Sequence, residues 1–463
     1  MHYISTRGNA PKLGFSDVTL EGLASDGGLY LPERWPRFDA GQIQKFRGLS
    51  YADLATEILQ QFCGDDLSKE VIASLTKDAY GDFDHCAIAP LKQLDTSLFV
   101  MELFHGPTLA FKDFALQFLG KLFNYLLRER GQTCTIIGAT SGDTGSAAIQ
   151  AVRGLEAVTL YMLHPDGRVS EVQRKQMTTV LDANIHNLAV AGTFDDCQNL
   201  VKAMFNDAGF RARHNLSAVN SINWARIAAQ VVYYFRAALE LGAPGQPVNF
   251  SVPTGNFGNV LAGYVAKQMG LPINRLIIGS NSNDILTRFF ESGKMEQKGV
   301  SPTLSPSMDI QISSNFERYL FELLDRDTAK IRDLMQEFSS TGHFEISAAD
   351  LAKASQLFAA HRLNDAETSE EISRVFKETG EIMDPHSVIG VAAARIHAQP
   401  GIPTIVLGTA HPAKFAQAAA AATGVNVELP AAVKKILDGE ERAQKIGNDL
   451  EQIQRLIDSD SIT

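Results

Sequence analysis

Three times in this 463-residue chain, a short apolar run ends in a loop of small and hydroxylated residues and passes straight into a helix-forming stretch. TCTIIGA (133–139) leads through TSGDTG into SAAIQAVRG, and PVNFSVP (247–253) leads through TGNFGN into VLAGYVAKQMG. PTIVLG (403–408) leads through TAHP into AKFAQAAAAATG. Strands separated by whole helices do not close as tight hairpins, and the alternation implies a mostly parallel sheet covered by helices. Apolar runs at 157–163, 184–190 and 275–280 supply further strands, and NWARIAAQVVYYFRAALELG (223–242) reads as a helix closed by Gly242. Loops that follow the strands of such a sheet gather at one edge, where ligands bind. The three loops are therefore expected to meet in one crevice.

The chain is too long for one core, so two or three domains are expected. Residues 1–90 form a mixed segment, with the turn-rich ASDGGLYLPERWP (24–36) and a helix over 51–64 closed by Gly64. Residues 316–400 read as mainly helical, and AAVKKILDGEERAQKIGNDLEQIQRLI near the C-terminus as a charged, solvated helical element. A net charge of −11 argues against a nucleic-acid partner, and any anionic ligand must be held by local donors. Cys63, Cys86, Cys134 and Cys197 are scattered, which suits a reducing compartment and offers neither a zinc site nor a disulfide framework. The N-terminus has no apolar core of signal-peptide length, and no apolar run approaches a membrane span, so a cytoplasmic protein is expected.

One lysine stands out. HGPTLAFKDFALQFLG (105–120) places Lys112 between two phenylalanines. A helix over 107–130, with Pro107 in its first turn and Gly131 at its end, groups Phe111, Phe114, Ala115, Phe118, Leu119, Leu122 and Leu126 on one face. Lys112 then lies at the edge of that face. Snorkelling of its stem is the plain structural reading. The helix dipole and burial both favour a neutral amine, however, and the neutral amine is the form that makes an imine with a carbonyl.

VPTGNFGNV (252–260) follows a strand and opens a helix, so the N–H groups of 255–259 can converge on an anion. Its spacing fits neither the dinucleotide fingerprint nor the P-loop, which favours a small phosphate-bearing cofactor over a dinucleotide or a nucleoside triphosphate, while an ordinary strand-to-helix turn is the plain structural reading. ATSGDTGSA (139–147) offers Thr140, Ser141 and Thr144 as a carboxylate cradle, although one of these hydroxyls can instead cap the helix.

Lysine, carboxylate cradle and phosphate loop together describe a pyridoxal-phosphate site. HGPTLAFKDFALQFLG, ATSGDTGSAAI, SVPTGNFGN, SMDIQISSNFER, DPHSVIG and LGTAHPAKF resemble, in order, the signature blocks of the threonine synthase family, and STRG…SDGGLYLPE resembles its N-terminal domain. The resemblance runs from residue 5 to about 425. It implies a tryptophan-synthase-β-like, fold-type II pyridoxal-phosphate enzyme: α/β, with doubly wound sheets in two subdomains and an N-terminal α+β domain. The implied domains are 1–95, a catalytic region 96–425 with the site between its subdomains, and a helical tail 426–463.

The resemblance also implies the reaction, O-phospho-L-homoserine and water giving L-threonine and phosphate, with no metal. Lys112 is then the cofactor-bearing lysine. Gly255, Asn256, Phe257, Gly258 and Asn259 hold the cofactor phosphate, and Thr409 faces the pyridine nitrogen. Thr140, Ser141, Gly142, Asp143 and Thr144 bind substrate, with Asp143 where many relatives of the fold type carry Asn. Arg226, Lys12, Arg7 and Arg168 are candidates for the leaving phosphate. His105, His386 and His411 are expected to orient loops, and Asp113 to orient the helix start. The partner is a small molecule, and a monomer or homodimer is expected. The rivals are a phospholyase or another fold-type II lyase or dehydratase. A binding protein or nicotinamide-dependent dehydrogenase on the same sheet is a more distant one, disfavoured by the missing dinucleotide fingerprint.

Overall fold

The computed structural model describes residues 1–140, 142–217 and 220–460. The chain forms two compact units, Met1–Phe111 with Ser221–Glu428, and Lys112–Asn220 with Leu429–Thr463.

The first unit is built on a six-stranded sheet. Its order is Phe358–Arg362, Ile273–Ser280, Val248–Pro253, Thr404–Gly408, Leu98–Glu102 and Leu91–Gln93. Every neighbouring pair is parallel except the last. Val248–Pro253 is buried at every position, as expected of a strand covered on both faces. Its one hydroxyl, Ser251 Oγ, donates to the Gly390 carbonyl at 2.6 Å. The helix Trp224–Glu240 starts from Asn223, whose side chain accepts from the Ala225 N–H, and is buried over almost its whole length. At the N-terminus, Tyr3–Ser5 pairs antiparallel with Tyr30–Pro32, and the helix Tyr51–Cys63 is capped by Ser50 and ends at Gly64. The stretch 316–400, expected to be mainly helical, also contributes the edge strand Phe358–Arg362 and the short strand His343–Glu345.

The second unit has a five-stranded, wholly parallel sheet, ordered Gln444–Ile446, Ile185–Val190, Val158–Pro165, Cys134–Ala139 and Leu216–Ser217. Lys112–Glu129 packs on Asp143–Val152 so closely that a Cβ on Gly120 would lie 2.2 Å from the Ala151 carbonyl oxygen. Only glycine fits that crossing.

Two expectations fail here. The lysine-bearing helix does not start at 107; it runs Lys112–Glu129. Leu109 adopts φ +59°, in the left-handed region, and the Phe111 N–H donates to the Thr409 carbonyl at 2.9 Å. Residues 106–111 are thus a turn drawn to the sheet's edge, with Ala110 bridged to Ala410. The tail is not a solvated helix either. It folds as Ala431–Leu437, the strand Gln444–Ile446 and Leu450–Asp460. Ile446, Ile453 and Ile457 enter the core with Tyr161, Leu188 and Cys197.

Candidate active site

In the second unit, Lys112 is the first residue of its helix and is half-buried. Its Nζ stands 3.8 Å from Asp143 Oδ2. The helix dipole and burial both oppose an ammonium at this position, whereas the carboxylate attracts one. Asp143 opens the helix Asp143–Val152, and its Oδ1 accepts from Gln173 Nε2 at 2.8 Å. Gln173 is held by Ser170, whose Oγ donates to Gln173 Oε1 at 2.9 Å. Gly142, at φ +146°, lies against the same amide, where a Cβ would stand 2.4 Å from Gln173 Oε1. Thr140 takes the loop-shaping role: its Oγ1 accepts from the N–H groups of Gly142 and Gly145, each at 2.9 Å. Thr144 is half-buried in the first helical turn, and Ser141 lies outside the described residues.

In the first unit, the loop after Val248–Pro253 enters the helix Gly258–Gln268 through Phe257 at φ +59°. A bulky residue is strained there by about 1–2 kcal/mol. The ring is locked by Phe316 at 5.0 Å and by Tyr319 and Phe358 at 5.9 Å, so core packing enforces the backbone. No side chain among the described residues caps this helix, and uncapped N–H groups at a helix start are suited to meeting an anion. Gly255 leaves little space for a side chain, since a Cβ would meet the Ser307 carbonyl oxygen at 3.0 Å. Asn259 is buried with Oδ1 accepting from Tyr233 at 2.6 Å, while its Nδ2 has no hydrogen-bond partner among the described residues.

Thr409 lies after the neighbouring strand, its N–H donating to Ser387 Oγ at 2.8 Å. Asp384 caps the helix carrying Ser387 and contacts His386 Nδ1 at 2.8 Å, and His386 Nε2 accepts from the Ser307 N–H at 3.2 Å. His386 therefore carries its proton on Nδ1 and orients a loop. His105 pairs with Glu102 at 2.7 Å, and His411 Nδ1 accepts from the Ala413 N–H at 3.1 Å. Asp113 is fully buried in the first turn after Lys112.

The four cationic candidates separate cleanly. Arg7 is committed to Glu317 at 3.0 Å and Lys12 to Glu33 at 2.6 Å, while Arg168 is exposed. Arg226 is 5 % exposed, and its Nε and Nη1 are buried without a hydrogen-bond partner among the described residues. Burial lowers its pKa to about 10, which leaves it charged at neutral pH. A buried, unmatched guanidinium costs several kcal/mol unless an anion meets it. The uncapped helix start, the orphaned Asn259 amide and this guanidinium together fit phosphate-bearing ligands. Gln173 was not legible as a site residue, because nothing in SEVQRKQ distinguishes it from a solvated helix face.

This fold, with its lysine and anion sites, is that of a pyridoxal-phosphate-dependent enzyme: residues 86–337 match the family "Pyridoxal-phosphate dependent enzyme". Residues 2–80 match "Threonine synthase N terminus" and residues 387–457 match "Threonine synthase, C-terminal". The chain belongs to the threonine synthase family. It is 50 % identical to the threonine synthase of Pseudomonas aeruginosa, over 99 % of this chain and 98 % of that one. Among solved structures, pyridoxal-phosphate-bound threonine synthase from Brucella melitensis is 52 % identical, covers both chains fully and superposes with a TM-score of 0.99. Yeast threonine synthase is 40 % identical with a TM-score of 0.95, over 100 % of this chain and 99 % of that one.

Proposed function

We propose that the protein converts O-phospho-L-homoserine and water into L-threonine and phosphate in the cytoplasm, as a monomer or homodimer. The observation that carries this is Lys112, a half-buried amine at the first residue of a helix and 3.8 Å from a carboxylate. That is a chemically committed position for a lysine, and the match to threonine synthases runs the length of the chain.

Pyridoxal phosphate, when bound, supplies an electron sink for the charge developed at the substrate Cα. Lys112 would carry the cofactor, and its free amine would take the proton at Cα. A proton then leaves Cβ, the γ-phosphate departs, a proton returns to Cγ, and water adds with its hydroxyl at Cβ while a proton returns to Cα. Gly255, Asn256, Phe257, Gly258 and Asn259 hold the cofactor phosphate through the uncapped helix start. Thr409 would offer a neutral hydroxyl to the pyridine nitrogen. Thr140, Ser141, Gly142 and Thr144 receive the substrate carboxylate. Asp143, held by Gln173, orients the Lys112 amine. Arg226 meets the substrate phosphate.

Purified protein given O-phospho-L-homoserine should release threonine and phosphate in equal amounts. Borohydride should bleach its visible absorbance and fix the cofactor on Lys112. Phosphate with 2-oxobutyrate and no threonine would assign a lyase instead, and normal turnover by Lys112→Ala would overturn the reading.

A further inference from the structure

The segment 313–318 carries none of the chemistry above, yet its polar atoms converge on the backbone of the 255–259 loop. Ser313 Oγ donates to the Gly255 carbonyl at 2.8 Å. Asn315 reaches the Asn256 carbonyl twice, through its backbone N–H at 3.2 Å and its Nδ2 at 3.1 Å. That Nδ2 also donates to the Ser221 carbonyl at 3.0 Å. The Asn315 amide cannot turn over, because its Oδ1 accepts from Arg318 Nη1 at 2.5 Å.

Arg318 is fixed in its turn. It is 1 % exposed, its Nε donates to the Tyr30 carbonyl at 2.8 Å, and its Nη2 donates to the Ile222 carbonyl at 2.6 Å. Its guanidinium lies 5.6 Å from the Trp224 ring centre. No carboxylate accepts from this guanidinium among the hydrogen bonds of the described residues, so its buried charge polarises the Asn315 amide and strengthens Nδ2 as a donor.

The geometry has a directional result. In a trans peptide the C=O and N–H point in opposite senses. Drawing the Gly255 and Asn256 carbonyls toward 313–315 turns the N–H groups of Asn256 and Phe257 the other way. Phe257, in the left-handed region at φ +59°, follows them into the helix start, which is the backbone form that makes concave arrays of N–H groups. We propose that Ser313 and Asn315, with Arg318 locking the Asn315 amide, are positioning residues that aim the Asn256 and Phe257 N–H groups at the cofactor phosphate. This rests on the reading of 255–259 as the phosphate cradle.

The test uses the full-length chain freed of cofactor and two ligands, pyridoxal phosphate and pyridoxal, which share ring and aldehyde and differ only in the phosphate. Dissociation constants are measured for both, with the thermal midpoint of each variant. Ser313→Ala and Asn315→Ala should each weaken pyridoxal phosphate by about tenfold or more while leaving pyridoxal within about twofold. Ser313→Thr, which keeps the hydroxyl, should restore most of the loss. Equal weakening of both ligands, or none, would overturn the proposal. Ser313→Ala removes one oxygen from a half-buried site, so it keeps the test decisive if Asn315→Ala fails to fold. Gly255→Ala separates the two layers. If it weakens pyridoxal phosphate selectively while the 313 and 315 variants do not, the cradle stands and the positioning role falls. If wild type itself binds both ligands alike, the cradle reading falls and takes the positioning role with it.

Discussion

Asp143 Oδ1 accepts a hydrogen bond from Gln173 Nε2 at 2.8 Å, so a carboxylate 3.8 Å from the Lys112 amine is held from a separate helix. Gln173→Ala removes a buried donor to a charged acceptor and should cost about 1–3 kcal/mol of stability. Gln173→Glu should do worse, by setting one carboxylate against another. Urea unfolding and the KM for phosphohomoserine measure both effects. A Gln173→Glu protein as stable as Gln173→Ala would show that this contact does not hold Asp143.

Gly120 sets the approach of two helices. Alanine is normally the better helix former by about 1 kcal/mol. Here its methyl would press on the Ala151 carbonyl oxygen at 2.2 Å and the carbonyl carbon at 2.8 Å, both backbone atoms that cannot swing aside. Gly120→Ala should therefore destabilise the protein by about 1–3 kcal/mol, as overpacking does. A raised thermal midpoint would contradict the close crossing.

Ile457 is fully buried in the final helix. If that helix belongs to the core, Ile457→Ala should cost about 2–5 kcal/mol, whereas on a solvated tail the change would be nearly neutral. Calorimetry separates the two outcomes.

His164 is 2 % exposed, and burial pushes its pKa below the ordinary value of 6.5. His186, stacked 4.4 Å from Tyr161, is lowered by the same cause. A lowered folded pKa means that the unfolded chain binds the proton first. Stability from these groups is then present above about pH 6.5, falls as the pH drops below it, and levels off under the folded pKa. The urea midpoint should fall between pH 7.5 and 5.5, and His164→Asn should flatten that fall. An unchanged slope in the variant would remove His164 from the account.

What the sequence disclosed and what it hid have separate causes. TCTIIGA, PVNFSVP and PTIVLG were legible because buried parallel strands read as unbroken apolar runs, and glycine marks the loops after them. Lys112 was legible from its apolar neighbours. The start of its helix was not, because Leu109 occupies a left-handed conformation that its side chain does not advertise. The strand Gln444–Ile446 was hidden because a short edge strand with one buried residue, Ile446, has the composition of a charged surface. Arg226 was expected among the substrate-binding residues, but only burial, and two nitrogens without a hydrogen-bond partner among the described residues, set it apart from Lys12, Arg7 and Arg168. The role of Asn315 depends on carbonyls far away in the chain, and no local pattern encodes those.

The edge strand Gln444–Ile446 also bears on biosynthesis. It hydrogen-bonds to Ile185–Val190, which leaves the ribosome long before it. At about 5–20 residues per second, the nascent sheet waits on the order of ten seconds or more with that border open. During translation the Ile185–Val190 border is a ready template for another nascent chain, so a stall late in the message leaves this unit unfinished and adhesive.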